Sequence, residues 1–119
     1  MEYETSDLLV RVQDQVTMVR FRAESLTSTV EVARISEALE GIVEDGARRL
    51  VLDFKNVRNA GSAALGMMIS VQKKLKAMDG KMAVSHPENI ESLLRISQTG
   101  RLFNLFPDSR EAFKSLKPY

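Results

Sequence analysis

The run Leu50-Val51-Leu52-Asp53-Phe54 constrains the fold more than any other stretch. A strand with one wet face alternates polar and apolar residues, whereas a nearly continuous apolar run is buried on both faces. A strand buried on both faces belongs at the centre of a sheet. Parallel neighbours in such a sheet are joined by helices that pack against it.

The flanking segments supply those helices. Val32, Ile35, Leu39, Ile42 and Val43 recur at steps of three and four, which makes one apolar helical stripe starting near Thr29. Ser28 or Thr27 is placed to cap its start, and Asp45-Gly46 closes it. After the central strand, Lys55 to Gly61 reads as a loop, and a second helix runs from about Ala63 to Met78. Its buried stripe is expected from Leu65, Met68, Ile69, Leu75 and Met78 with Val71 beside them, while Lys73, Lys74 and Lys76 face solvent. Asp79-Gly80 ends it as Asp45-Gly46 ended the first.

The ends of the chain add to this frame. Leu8 to Val12 and Val16 to Phe21, joined by Asp14-Gln15, read as an antiparallel hairpin. Lys81 to Ser85 is a further strand, and His86-Pro87 opens a third helix with Ile90, Leu93, Leu94 and Ile96 inward. Leu102 to Phe106 reads as a short edge strand. Asp108 then caps a last helix in which Glu111 stands at capping-box spacing. The expectation is an α/β fold in one domain, residues 1–119, with a mixed, mainly parallel sheet of about five strands and about four helices.

Composition narrows the function. Seventeen basic residues against 16 acidic ones leave a net charge of +1, which gives no electrostatic reason to expect nucleic acid or an anionic membrane as partner. No cysteine is present, so disulfides, thiolate metal sites and a cysteine nucleophile are excluded. The opening Met1-Glu2-Tyr3-Glu4 is acidic and no stretch approaches the roughly 20 apolar residues of a membrane span, so a cytoplasmic protein without direct membrane contact is expected. The one histidine, His86, has no carboxylate partner nearby in sequence and reads as a surface or loop residue. Gly61-Ser62-Ala63-Ala64-Leu65-Gly66 is neither a phosphate-binding loop, since Met67 stands where Lys is needed, nor a nucleophile elbow. No cofactor, metal site or catalytic residue is expected, and the chain reads as a binding protein rather than an enzyme.

The loop after the central strand is where open α/β sheets place their sites. Ser62 reads as the natural N-cap of the second helix, a purely structural role. The same position suits a phosphoryl group, because a helix start offers free N–H groups and the positive end of the dipole. Met67 is offset from the main stripe and is expected on the surface beside the loop.

Val51-Leu52-Asp53-Phe54, Ser62-Ala63-Ala64-Leu65-Gly66, Lys73-Lys74-Leu75, Gly80-Lys81-Met82, Leu102-Phe103, Phe106 and Glu111-Ala112 together resemble a STAS domain of the bacterial anti-sigma factor antagonist family. The resemblance implies a STAS-like fold and a chain that binds an anti-sigma factor, a serine kinase with a histidine-kinase-like ATPase fold. It implies Ser62 as the phosphoacceptor, with the base and the nucleotide belonging to the partner. The implied contact residues are Thr27, Arg58, Asn59, Gly61, Ser62, Ala63, Leu65, Gly66 and Met67. The family often carries Asp-Ser-Ser-Gly-Leu-Gly; here Gly61 replaces the acid, Ala63 replaces the second serine, and Thr27 stands where an acid is common. The second reading is a scaffold subunit of a signalling or membrane-transport assembly, using the same surface without phosphorylation. A nucleotide-binding domain is a distant third. A monomer or weak homodimer is expected.

Overall fold

The computed structural model describes residues Met1–Tyr119. Six strands form one sheet in the order β1 (Glu2–Glu4), β2 (Leu8–Gln13), β3 (Val16–Phe21), β5 (Arg49–Asp53), β7 (Lys81–Ser85) and β8 (Asn104–Phe106). β1, β2 and β3 run antiparallel, and β3, β5, β7 and β8 run parallel. The expected hairpin is present, with Val10 opposite Val19. Its turn places Asp14 and Gln15 at φ of 52° and 66°, the left-handed pair that matches strand twist in a two-residue hairpin.

The central run behaves as its composition demands. Leu50, Val51, Leu52 and Phe54 are all fully buried, split between two cores on opposite faces. One face carries Leu50 and Leu52 under α1 (Thr29–Glu44), α2 (Ser62–Ala77) and α3 (Glu91–Ile96). Phe21 and Phe54 pack there with ring centroids 4.8 Å apart. The other face carries Val16, Val51 and Ala83 under Ala112 and Leu116 of α4 (Ser109–Leu116). Each such large aliphatic or aromatic side chain contributes roughly 1.5–3 kcal/mol by leaving water.

The helix ends follow their local chemistry. Ser28 Oγ accepts from Glu31 N at 3.3 Å and caps α1. Gly46 takes φ 124°, the left-handed conformation a helix exit asks of glycine. Arg48 donates to Val43 O in the last turn of α1 and to Ala47 O just beyond it, at 2.8 and 2.9 Å, tying its side chain to the helix exit. Asp108 Oδ1 accepts from Glu111 N at 2.9 Å and caps α4 as expected.

Several expectations are corrected. β1 is an added edge strand. Two two-residue strands pair in parallel: β4 (Ser25–Leu26), in a segment given no assignment from sequence, and β6 (Asn59–Ala60), within the segment read as a loop. The last strand starts at Asn104, because Gly100–Leu102 forms a single 3-10 turn. Ile96 is 81% exposed rather than inward: it lies two residues, about 200° of helical rotation, past the buried Leu94. Met78 ends α2 and is exposed.

Candidate partner-binding surface at the start of α2

The β5–α2 loop is built on backbone hydrogen bonds to the segment after β3. Arg58 N and Asn59 N donate to Glu24 O at 2.7 and 3.1 Å, and Gly61 N donates to Leu26 O at 3.1 Å. These bonds bring the β3–α1 and β5–α2 connections side by side at the carboxyl ends of the strands. Thr27 and Gly61, far apart in sequence, become neighbours. A Cβ placed on Gly61 would lie 3.9 Å from Thr27 Cα and Cγ2.

The same pairing moves the helix start. Gly61, not Ser62, is the N-cap, extended at φ −113° and ψ −170° with no side chain to cap. Ser62 is already the first helical residue. Its hydroxyl is exposed and makes no hydrogen bond within the protein. Ala64 N and Leu65 N both reach Gly61 O, at 3.0 and 3.3 Å, so the N–H groups of Ser62 and Ala63 are the ones left without an intrahelical acceptor. The capping role read for Ser62 is therefore wrong, and the hydroxyl stands free beside unused donors.

The remaining residues divide by burial. Thr27, Arg58, Asn59, Ser62 and Gly66 are exposed, while Gly61, Ala63 and Leu65 are half-buried. Nothing lies within 4 Å of a Cβ built on Gly66, so α2 shows a flat, small-residue stripe one turn beyond Ser62. Met67 does not belong to this surface: it is 3% exposed. α2 packs against the sheet and against α1 at once, so its buried arc takes in Ala64 and Met67 besides Met68, Val71 and Leu75. Glu24 joins the surface unforeseen, its carboxylate 3.7 Å from Arg58 Nε with both side chains exposed. Such a pair contributes under about 1 kcal/mol. Only a non-local pairing places Glu24 there, and no local pattern announces it.

His86 is a half-buried loop residue, and the correction concerns its neighbours, since carboxylates flank it. It takes φ 56°, and its ring nitrogens lie 3.9 Å from Asp53 Oδ1 and 3.5 Å from Glu88 Oε1. No group of three or more His, Cys, Asp or Glu side chains is arranged to hold a metal ion. No helix is long and apolar enough to cross a membrane.

A mixed sheet with three helices on one face and one on the other, presenting the start of a crossover helix as its open surface, defines the class. The STAS-domain profile matches residues 7–112, and the chain belongs to the STAS-domain family. A search of curated proteins returned no match. Solved structures give the fold independently. A STAS-domain anti-sigma-factor antagonist from Planctomyces limnophilus superposes with a TM-score of 0.79 at 21% identity, covering 95% of this chain and 99% of its own. An anti-sigma factor antagonist from Mycobacterium paratuberculosis gives 0.77 at 22% identity, covering 92% of each chain. The phosphorylated form of the Bacillus cell fate determinant SpoIIAA gives 0.68 at 16% identity, covering 91% of this chain and 97% of its own.

Proposed function

We propose that this STAS domain is an anti-sigma factor antagonist, a regulator rather than a catalyst, and that phosphorylation of Ser62 by its anti-sigma factor switches the contact. The observation that carries the reading is the free Ser62 hydroxyl at the first position of α2, exposed and without a hydrogen-bond partner. It is open to an in-line phosphoryl donor held by another protein, and losing its proton disrupts no internal bond. The surrounding surface of Thr27, Asn59, Gly61, Ala63 and Gly66 is small and uncharged apart from the Arg58–Glu24 pair.

A phosphoryl group there adds about −1.5 to −2 charges. The unused N–H groups of Ser62 and Ala63 and the helix dipole tolerate that charge, so the domain stays folded. A partner packed on the same small-residue surface meets new bulk and charge, and it dissociates. The solved relatives include SpoIIAA in both unphosphorylated and phosphorylated forms, so the fold accommodates the modification in that protein.

The competing reading, an unphosphorylated scaffold subunit, is favoured by Gly61 standing where the family often has an acid. The two separate by titrating Ser62→Asp and Ser62→Ala against the anti-sigma factor encoded with this chain. The switch predicts that Ser62→Ala binds and Ser62→Asp weakens binding at least tenfold. Equal affinity for both variants refutes it in favour of the scaffold.

A further inference from the structure

A second site lies on the face of the sheet opposite α1 and α2. Cross-strand pairing lines up two rows of side chains there. One row runs Glu4, Leu9, Arg20, Asp53 across β1, β2, β3 and β5, and the other runs Glu2, Arg11, Met18, Val51. α4 covers the sheet over β3, β5, β7 and β8, so the β1–β2 end of both rows is open. The result is a cavity of about 450 Å³, within the usual range for a small-molecule site, bordered by Ser109 at the start of α4.

The floor of this cavity is a polar pair, flanked by the apolar Tyr3, Leu9, Val10 and Met18 and by the polar Glu2, Glu4, Arg11 and Ser109. Asp53 is 4% exposed in its side chain and accepts from Arg20 Nε at 2.8 Å and from Lys55 N at 3.0 Å. Asp53 is thereby engaged through both oxygens. Arg20, about one-third exposed, makes no hydrogen bond through either terminal nitrogen. Its guanidinium is held through Nε, Arg20 belongs to the cavity lining, and a pair of unbonded terminal donors is suited to receive a carboxylate in two parallel bonds. The Ser109 hydroxyl also makes no hydrogen bond. Leu9 and Met18, both half-buried, supply the apolar wall.

The charges around the rim limit the ligand. Glu2 lies 3.9 Å from Arg11 and Glu4 lies 3.8 Å from Arg22, so each rim acid is balanced by one base. A polyphosphate would bring several charges into a site whose floor cation with free donors, Arg20, is already paired with Asp53 and has three carboxylates nearby. A single carboxylate on a short apolar body matches both the floor and the wall. We propose that the cavity over β1–β3 binds a small organic monocarboxylate, its carboxylate on Arg20 and its apolar body against Leu9 and Met18. This site is separate from the Ser62 surface and does not depend on the function proposed for it.

The test titrates ¹⁵N-labelled protein with hexanoate, hexylammonium and 1-hexanol, monitoring backbone amides. Hexanoate is expected to shift Leu9, Met18, Arg20 and Ser109 saturably while leaving Gly61 to Gly66 in place, with the alcohol and the amine at least tenfold weaker. Leu9→Glu places a carboxylate directly across from Arg20 in the strand register without unpairing Asp53, and it is expected to weaken hexanoate at least tenfold. Arg20→Met is expected to do the same, with its fold checked by amide dispersion. Equal binding of hexanol, shifts confined to other surfaces, full affinity in a folded Leu9→Glu variant, or no saturable shift overturns the proposal. Concentration-dependent dimerisation that covers these residues in the wild type overturns it too.

Discussion

Gly61 occupies an N-cap without a capping side chain, and replacing it measures how the loop is built. Its backbone, at φ −113° and ψ −170°, lies in the extended region open to any L-residue. Asp108, which does cap α4, sits nearby in the same region at φ −147° and ψ 170°. A Cβ at position 61 meets only Thr27, at an ordinary 3.9 Å, so side chains fit without displacement. Gly61→Asp adds an acceptor for the N–H groups at the start of α2 and a negative charge at the positive end of its dipole. Gly61→Ala controls for the lost backbone freedom of glycine, which by itself stabilises by about 0.4–1 kcal/mol where the conformation is compatible. The aspartate is expected to exceed the alanine by about 1 kcal/mol, the typical worth of an N-cap side chain. That difference is roughly 3–6 °C in melting temperature for a chain of this length. Urea unfolding of the wild type, Gly61→Ala and Gly61→Asp at pH 7 measures it. An aspartate variant no more stable than the alanine variant refutes the assignment of Gly61 as the cap and of Ser62 as the first helical residue.

Four further outcomes follow from the same geometry. Ser62→Ala leaves stability within about 0.5 kcal/mol in urea unfolding, because the hydroxyl holds nothing, whereas Asp108→Ala costs about 1 kcal/mol. Met67→Ala costs about 2–5 kcal/mol as a core truncation; a loss under 0.5 kcal/mol returns Met67 to the surface. Gly66→Gln raises stability by up to about 1 kcal/mol through helix propensity yet weakens anti-sigma factor binding, and calorimetry reads the opposed signs. The Arg34 hydrogen bond, and secondarily its charge, hold the Asp7 carboxyl below its usual value of 3.8. Stability from that pair is complete above the ordinary carboxylate range and is lost as pH falls through the lowered value, so Asp7→Asn flattens the acid limb of the stability curve below about pH 4. An unchanged acid limb contradicts it.

Much of the fold is legible because it is local. The Asp14-Gln15 hairpin, the apolar central run, the α1 stripe and the Asp108–Glu111 cap each rest on neighbouring residues. What escaped reading rests on distant ones. Strands β4 and β6 are two residues each, and their hydrogen bonds join positions more than 30 apart in sequence, so no periodicity marks them. That hidden pairing decides the site: it draws Thr27 against Gly61, recruits Glu24, and shifts the helix start so that Ser62 is free instead of capping. Met67 failed for another reason. A single-stripe reading of α2 assumes one packing partner, and α2 has two. β1 carries Glu2-Tyr3-Glu4, with nothing apolar to announce it beyond Tyr3, and is recruited by backbone pairing to β2.

The most direct test of the account is phosphotransfer. The protein and Ser62→Ala are incubated with the anti-sigma factor encoded in the same genome and ATP, and intact mass is followed by phosphopeptide mapping. The account predicts one phosphoryl group on the wild-type chain, located at Ser62, none on Ser62→Ala, and release of the phosphorylated chain from the complex. Equal incorporation into Ser62→Ala, or a stable complex that survives ATP with Ser62 unmodified, contradicts it.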